Sequence, residues 1–226
     1  MLKQLEQNGF AVVPEVISGT TCDYLIGAIE TALKNKGSNH AMRNLAKNVP
    51  AVRELAESES IRSLARSILG ENAFLVRSLF FDKTPEANWK VAWHQDITIA
   101  VQTKIETPGI GPWSMKDGVI HVQPPPRVLE NMLTIRVHLD ECDMENGPPQ
   151  VLRGSHGKGK LNAKEIEAWR DSVEPVACIA PKGGALLMRP LLLHASSAAR
   201  VPRHRRVVHL EFSAKKLPKG LQWAAA

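Results

Sequence analysis

Hydrophobic and polar residues follow two different periods along this chain, and the change comes after residue 70. In the first part, apolar residues recur every three or four positions, as on one face of a helix. One such pattern follows a cap at Thr20-Thr21, and a second spans residues 51–69, with Gly70 placed to end it. Residues 9–14 form a short apolar run that predicts a strand before the first helix. We therefore expect mainly helices in this part.

From residue 73 onward, strand-length runs alternate with proline, glycine and asparagine. The runs are residues 73–81, 93–101, 132–139, 150–152, 173–179, 185–188 and 207–212. Helices followed by many short strands predict an α+β fold whose main body is a β-sandwich or barrel. Such bodies often reach ~200–250 residues as one unit. The 226 residues are therefore expected to form one domain, residues 1–226.

Residues 102–131 interrupt the strands with five prolines and three glycines. A connection of this length in a compact domain is usually a functional lid or a disordered linker. The apolar residues Trp113, Ile120 and Val122 favour a partly packed segment over disorder. We expect residues 102–131 to form an active-site lid.

Three residues have the chemistry of a metal site. His94 and Asp96 are two positions apart on a predicted strand, so their side chains point to the same face. His194 ends a strongly apolar run 100 residues later. Two imidazoles and one carboxylate on one face of a non-haem Fe(II) leave the opposite face open. The alternatives are a solvent-facing strand for the first pair and a hydrogen-bonded core histidine for His194.

An arginine after His194 provides a candidate anion site. Arg205 follows His194 by eleven residues on a new predicted strand, where a guanidinium can bind a carboxylate through two hydrogen bonds. Ser196 could add a hydroxyl to the same carboxylate. Arg206 is the rival, because strand alternation sends the two arginines to opposite faces. Alternation alone favours Arg206, the polar exception on an otherwise apolar face.

These motifs together resemble the phytanoyl-CoA dioxygenase family of 2-oxoglutarate oxygenases. The motifs, in chain order, are Gly9-Phe10, Asp82-Lys83, His94-Gln95-Asp96, Asn146-Gly147, Gly154-Ser155-His156, and His194 with Arg205. The resemblance implies a double-stranded β-helix (a jelly-roll, cupin-like core) with N-terminal helices packed on one sheet. It implies Fe(II) at His94, Asp96 and His194, and the cosubstrate 2-oxoglutarate with its distal carboxylate on Arg205 and Ser196. The family's eleven-residue spacing selects Arg205 over Arg206.

Further candidates lie on other strands and in the lid. Thr134 and Arg136 share the polar face of the run 132–139, which either meets solvent or lies near the cosubstrate or substrate. Arg77, Trp113 and His121 are weaker candidates for substrate contacts.

The charge and the aromatic content of the chain indicate which classes of molecule it can bind. The net charge of +6 and pI of about 9.3 suit an anionic partner, but only 5% of residues are aromatic, which argues against nucleic-acid binding. We expect a small-molecule substrate, and the positive net charge is consistent with an anionic one. The cysteines, Cys22, Cys142 and Cys178, form no paired motif and are expected to be reduced, as in the cytoplasm. A membrane span would need ~18 consecutive apolar residues, so no membrane segment is expected.

The predicted function is hydroxylation of a small metabolite with release of succinate and CO2. An aspartate at position 96 favours hydroxylation over halogenation, which in related enzymes accompanies a small residue there. The alternatives are a cupin-like metalloenzyme (an isomerase or a 2-oxoglutarate-independent dioxygenase) and a non-catalytic jelly-roll binding module. The sequence indicates neither the substrate nor the oligomeric state.

Overall fold

A computed structural model describes residues 1–37 and 40–224. Most helices precede residue 70. They are α1 (Leu2–Asn8), α2 (Gly19–Lys36), α3 (Leu45–Asn48), α4 (Pro50–Glu57), α5 (Glu59–Leu69), α6 (Pro126–Glu130) and α7 (Ala163–Ser172), with a 3-10 helix at Ser155–Lys158. Helix α2 is the one expected after Thr20, although Ser18 caps it, because the Ser18 hydroxyl accepts a hydrogen bond from the Thr21 amide at 3.1 Å. Among the described residues, no helix is long and apolar enough to cross a membrane.

The strands that follow are antiparallel throughout the described pairings. They are β1 (Phe10–Val13), β2 (Ala41–Arg43), β3 (Phe74–Lys83), β4 (Val91–His94), β5 (Ile99–Val101), β6 (Trp113–Lys116), β7 (Val119–Val122), β8 (Met132–His138), β9 (Pro149–Val151), β10 (Val176–Ala177), β11 (Ala185–Met188), β12 (His194–Ser196) and β13 (Arg205–Ser213). Three sheets result, with orders β1-β11-β8-β13-β3-β2, β10-β9-β12-β4 and β5-β7-β6. The predicted α+β class is confirmed.

The single helical pattern over residues 51–69 proves to be two helices. The backbone leaves the helical region at Ser58, which ends α4 and begins α5. The Ser58 hydroxyl donates to the Leu55 carbonyl at 2.7 Å, a local bond that competes with continuation of the helix. Both helices still bury one apolar face, which is why the pattern appeared continuous.

Two predicted strands are shorter than expected. The run 93–101 divides into β4 and β5, because residues between them bond outside the ladder: the Asp96 amide donates to the Pro190 carbonyl at 2.9 Å. The run 173–179 shrinks to β10, because α7 extends to Ser172. Helix α7 was not predicted, although Asn162 and Glu165 form a capping box at its start.

The six-stranded sheet has one apolar and one polar face. Alternate residues of β8 and β13, namely Leu133, Ile135, Val137, Val208, Leu210 and Phe212, join a core with the apolar faces of α2, α4 and α5. The intervening residues, including Arg136, Arg205 and His209, face the four-stranded sheet. The polar face of β8 therefore meets a cavity between two sheets and not bulk water.

Residues 102–131, the expected lid, contain β6, β7 and α6. The two strands form a hairpin closed by Asp117 and Gly118, both with positive φ (49° and 74°), as a two-residue turn requires. Ile110, Val122 and Leu129 bury their side chains in a second apolar cluster. The segment is thus packed structure that forms most of the third sheet.

Candidate active site

His94, Asp96 and His194 converge between the strands β4 and β12. The two histidines are direct partners in the β4–β12 ladder, and Asp96 follows two residues after His94. The three ligand atoms all lie within 4.8 Å of one another. The Nε2 atoms of His94 and His194 are 3.9 and 3.7 Å from the Asp96 carboxylate oxygens. This spacing suits one shared metal ion.

Backbone carbonyls set the orientation of both imidazoles. Nδ1 of His94 donates to the Ala92 carbonyl at 2.8 Å, and Nδ1 of His194 donates to the Leu192 carbonyl at 2.9 Å. Because the proton is then on Nδ1, each Nε2 offers its lone pair to a metal.

Gln95 holds the segment that carries the aspartate. Its side-chain amide donates to the Leu191 and Gly159 carbonyls at 2.7 and 2.8 Å, and its oxygen accepts from the Leu161 amide at 2.8 Å. These bonds tie the chain between His94 and Asp96 to two loops, one before β12 and one between the 3-10 helix and α7. Gln95 therefore supports the geometry of the triad from behind.

Local electrostatics keep the triad in a metal-binding form. Burial would raise the pKa of Asp96, but His194, His209 and Arg77 outweigh it and hold this pKa below its usual range. Burial lowers the pKa of His194 to about 4, despite the opposing effect of Asp96. At neutral pH the site thus presents one carboxylate and a neutral His194.

The triad opens onto a cavity of about 260 Å³ between the two larger sheets. An apolar wall is formed by Leu79, Phe81, Trp89 and Val91. Five cationic side chains also line the cavity: Arg43, Arg77, Lys116, Arg136 and Arg205. Of the predicted site residues, the lining includes the triad, Ser196, Arg205, Arg136 and Arg77.

Two buried cations without acidic partners in the described chain lie at one end of the cavity: Arg205 lines it, and Lys83, which is not part of the lining, lies beside Arg205. Lys83 on β3 is the ladder partner of Arg205 on β13, and the two side chains are 1% and 6% exposed. Lys83 Nζ donates to the Ser196 hydroxyl at 2.9 Å and the Ser197 carbonyl at 2.6 Å, and Arg205 donates to the Gly147 carbonyl. Within residues 1–37 and 40–224, neither cation forms an ion pair.

Arg136 adds a third cation near this end. Burial, with Arg205 nearby, lowers the pKa of Arg136 to about 10. The same two causes lower the pKa of Lys83 to about 8. The Nε atoms of Arg136 and Arg205 lack hydrogen-bond partners in the described part of the chain. Unpaired buried cations are unfavourable unless a ligand supplies the anion. Lys83 stands in the Asp82-Lys83 motif, but its sequence position alone indicated no role in the site.

Arg206 lies outside the cavity. Its guanidinium donates to the Asp140 carboxylate at 2.9 and 3.0 Å and to Glu30 of α2 at 2.8 Å. The apolar face of β13 is the one that packs on the helices, so Arg206 emerges beside α2.

The opposite end of the cavity contains a buried polar network. Arg77 Nη2 donates to Glu211 Oε1 at 2.6 Å, and Arg77 Nη1 donates to the Thr98 carbonyl at 3.2 Å. His209 Nε2 donates to the same Glu211 oxygen at 3.0 Å. Neither His209 nor Lys116 was a sequence candidate. The signal for His209 was its place on the same strand face as Arg205.

Three predicted site residues lie apart from the cavity lining. Thr134 is 0% exposed and pairs with Glu211 in the β8–β13 ladder, six positions along β13 from Arg205. Trp113 packs in the second apolar cluster. His121 is buried, with its Nδ1 bonded to the Val119 carbonyl at 3.0 Å. Their assigned contacts with cosubstrate or substrate gain no support from these positions.

This chain is similar in sequence to a probable dioxygenase. Among curated proteins, a probable alpha-ketoglutarate-dependent hypophosphite dioxygenase of Stutzerimonas stutzeri is 27% identical over 179 residues, covering 73% of this chain and 53% of that protein. The chain thus spans about half the length of this curated relative.

Solved structures share the fold. SnoK, a non-heme alpha-ketoglutarate-dependent carbocyclase from nogalamycin biosynthesis, aligns with a TM-score of 0.74 at 16% identity, covering 94% of this chain and 82% of that chain. EctD from S. alaskensis, solved with 2-oxoglutarate and 5-hydroxyectoine, aligns with a TM-score of 0.74 at 18% identity, covering 96% of this chain and 77% of that chain.

The family itself follows from the match along the sequence. A model of the phytanoyl-CoA dioxygenase (PhyH) family matches residues 5–207, a span that includes every motif on which the predicted resemblance depended. The predicted resemblance is confirmed, and the chain belongs to the phytanoyl-CoA dioxygenase family.

Proposed function

We propose that this chain is an Fe(II)- and 2-oxoglutarate-dependent dioxygenase that hydroxylates a small molecule. The observation that carries the proposal is a His94–Asp96–His194 triad in one cavity with the buried cation Arg205, which has no acid of its own among the described residues. The triad fits iron and this cation fits the oxo acid. Bound together with dioxygen, these cofactors supply oxidative decarboxylation to succinate and CO2 and hydroxylation of a C–H bond.

The donor set fits Fe(II). Two neutral imidazoles and one carboxylate are the ligands of the facial arrangement that leaves positions open for cosubstrate and oxygen. Among the described residues the group has three members, His94, Asp96 and His194, so no fourth side chain of this kind completes it. A closed four-ligand structural site is therefore not what these residues would build.

The cations at the Lys83–Arg205 end fit the distal carboxylate of 2-oxoglutarate. Arg205 would bind it through two guanidinium hydrogen bonds, and Lys83 would bind it through its ammonium group. Ser196, two residues past His194, lies between the triad and Lys83 and would orient the carboxylate with its hydroxyl. Arg136, opposite His209 in the ladder, interacts electrostatically with both Arg205 and Asp96 and would offset the charge near the metal.

The fold proposed for this function is a double-stranded β-helix. The six-stranded and four-stranded antiparallel sheets face each other across the cavity, and Lys83 bonds from one sheet to Ser196 of the other. The site then lies in the mouth of the sandwich, with residues 102–131 as a lid whose hairpin brings Lys116 to the cavity.

The proposed substrate is a small anionic metabolite. The cavity of about 260 Å³ is below the ~300–1,000 Å³ of ordinary small-molecule sites and must also hold the cosubstrate. Five cations and one acid, Asp96, line it. The S. stutzeri relative is named for hypophosphite, a small oxyanion, which supports a small anionic substrate here as well. The three cysteines are free and buried, which fits the cytoplasm as the proposed compartment.

Succinate release tests the proposal. Purified protein with Fe(II), oxygen and 2-oxoglutarate is expected to form succinate slowly, and faster when a library of small carboxylates and phosphorus oxyanions, hypophosphite included, contains a substrate. Binding of Fe(II) without binding of 2-oxoglutarate would favour a cupin-like metalloenzyme. Binding of neither would favour a non-catalytic module.

A further inference from the structure

We propose that the cavity contains a second anion subsite, formed by Arg77, Lys116 and His209, that binds the substrate through an anionic oxygen. The ligand class is a small carboxylate or phosphorus oxyanion. This inference rests on the proposed function, because it assigns the other anion site, around Arg205, to the cosubstrate.

Strand geometry separates the two subsites. Lys83 pairs with Arg205 at one end of the β3–β13 ladder, and Arg77 pairs with Glu211 six positions along, near the other end. Six residues of antiparallel strand place the Cα atoms of these pairs roughly 20 Å apart at ~3.4 Å per residue. The bonds of Arg77 to Glu211 and of Arg205 to the Gly147 carbonyl hold the two guanidinium groups at their separate ends.

The metal triad lies between these ends. Ser196, two residues beyond His194, contacts Lys83. Thr98, two residues beyond Asp96, contacts Arg77. A cosubstrate that extends from the metal toward Arg205 therefore leaves the Arg77 side for the substrate.

Each member of the second subsite keeps an unused polar group. Arg77 is held by Glu211 and the Thr98 carbonyl, but its Nε is buried without a partner in the described chain. His209 donates to Glu211 through Nε2, so its Nδ1, which likewise has no partner among those residues, can accept a hydrogen bond from a hydroxyl group of the ligand. Glu211 thus fixes both side chains while leaving hydrogen-bonding atoms for a ligand.

Lys116 supplies the uncompensated charge. It is the last residue of β6, next to the hairpin turn, and it forms no ion pair in the part of the chain that the structure describes. Its strongest charged neighbours are cationic: Arg77, whose charge Glu211 balances, and Arg43, which pairs with Asp117 at 3.3 Å. The carboxylates of Asp96 and Glu211 act on Lys116 more weakly, in the opposite direction. Burial, followed by Arg77 and Arg43, lowers the pKa of Lys116. A bound anion would relieve this repulsion.

Direct binding tests the subsite. Protein loaded with Fe(II) and 2-oxoglutarate without oxygen is titrated calorimetrically with methylphosphonate, with acetate and with uncharged acetamide. We expect one or both anions to bind, acetamide not to bind, and the tighter anion to distinguish a tetrahedral from a planar substrate group. Lys116→Gln should weaken anion binding about tenfold or more, the loss expected for a hydrogen bond to a charged partner. Lys116→Arg should retain most of the affinity.

The controls separate this inference from the proposed function. Lys104→Gln, a lysine of the same segment outside the cavity lining, should bind both anions like the parent. The 2-oxoglutarate affinity of Lys116→Gln should equal that of the parent. Anion affinity unchanged by Lys116→Gln, equal binding of acetamide, or no anion binding by loaded protein would overturn the subsite and leave the proposed function intact. Failure to bind 2-oxoglutarate would overturn both.

Discussion

Replacing Arg205 by glutamine should weaken 2-oxoglutarate binding without removing the site. The guanidinium is 6% exposed and meets no acid in the described chain, so a bound carboxylate would be its first anionic partner. Truncating one member of a buried charge pair ordinarily costs ~2–5 kcal/mol. Here Lys83 is the ladder partner of Arg205 and remains beside the carboxylate. We therefore expect the lower part of that range, about 2–3 kcal/mol, or roughly a 30- to 150-fold rise in Kd.

Arg206→Gln is the matched control. The two arginines are adjacent in sequence, but Arg206 points away from the cavity, toward Asp140 and Glu30. Its loss should lower thermal stability and leave 2-oxoglutarate affinity within about threefold. Anaerobic calorimetry of parent and variants, each loaded with Fe(II), measures both constants. Equal Kd values for parent and Arg205→Gln, or an equal loss in Arg206→Gln, would refute the assignment of the distal carboxylate to Arg205.

Three further predictions concern the triad and the buried lysine. Asp96→Ala should reduce Fe(II) affinity, measured by equilibrium dialysis, by more than the ~10–100-fold typical of residues behind the ligands, whereas Asp143→Ala on the surface should not change it. Gln95→Leu should reduce Fe(II) affinity about tenfold, since its three hydrogen bonds position Asp96; unchanged affinity would show that the ladder alone holds the aspartate. Burial and Arg205 lower the pKa of Lys83 to about 8, so the ligand-free site loses a positive charge as pH rises through about 8. Calorimetric 2-oxoglutarate affinity should fall across that range in the parent and not in Lys83→Met, which should also melt a few degrees higher without ligand, because it removes an unpaired buried cation.

The cations that would bind the cosubstrate are expected to destabilise the fold when no ligand is bound. Lys83 and Arg205 are buried and Arg136 is partly buried, and none of them has an acid of its own among the described residues, which is unfavourable for the ligand-free fold. The core between the helices and the outer face of the six-stranded sheet must offset this penalty. A bound dicarboxylate would then both complete the site and stabilise the fold.

Several features could be predicted from the sequence because they depend on residues that are neighbours along the chain. The two periods of the apolar pattern predicted helices before strands, and the spacing of His94 and Asp96 predicted two ligands on one face. The alternation along β8 and β13 separated each strand into a polar and an apolar face. The motifs as a set were enough to predict the family.

Which face of those strands lies inside was decided only by tertiary structure. A single strand does not show whether its polar side will meet water or a second sheet, so Thr134 and Arg136 had two readings and alternation favoured Arg206. In the folded chain the helices cover the apolar face, and the four-stranded sheet closes over the polar one. That closure puts Arg205 inside and Arg206 beside α2.

Tertiary packing also determined the positions of the remaining site residues. Lys83 reaches Ser196 across 113 positions, and Lys116 arrives on a hairpin of the third sheet. Such contacts depend on how the sheets pack, which the spacing of residues along the chain does not predict. Chemistry that needs adjacent residues was therefore readable from the sequence, whereas the charge environment around it depended on long-range packing.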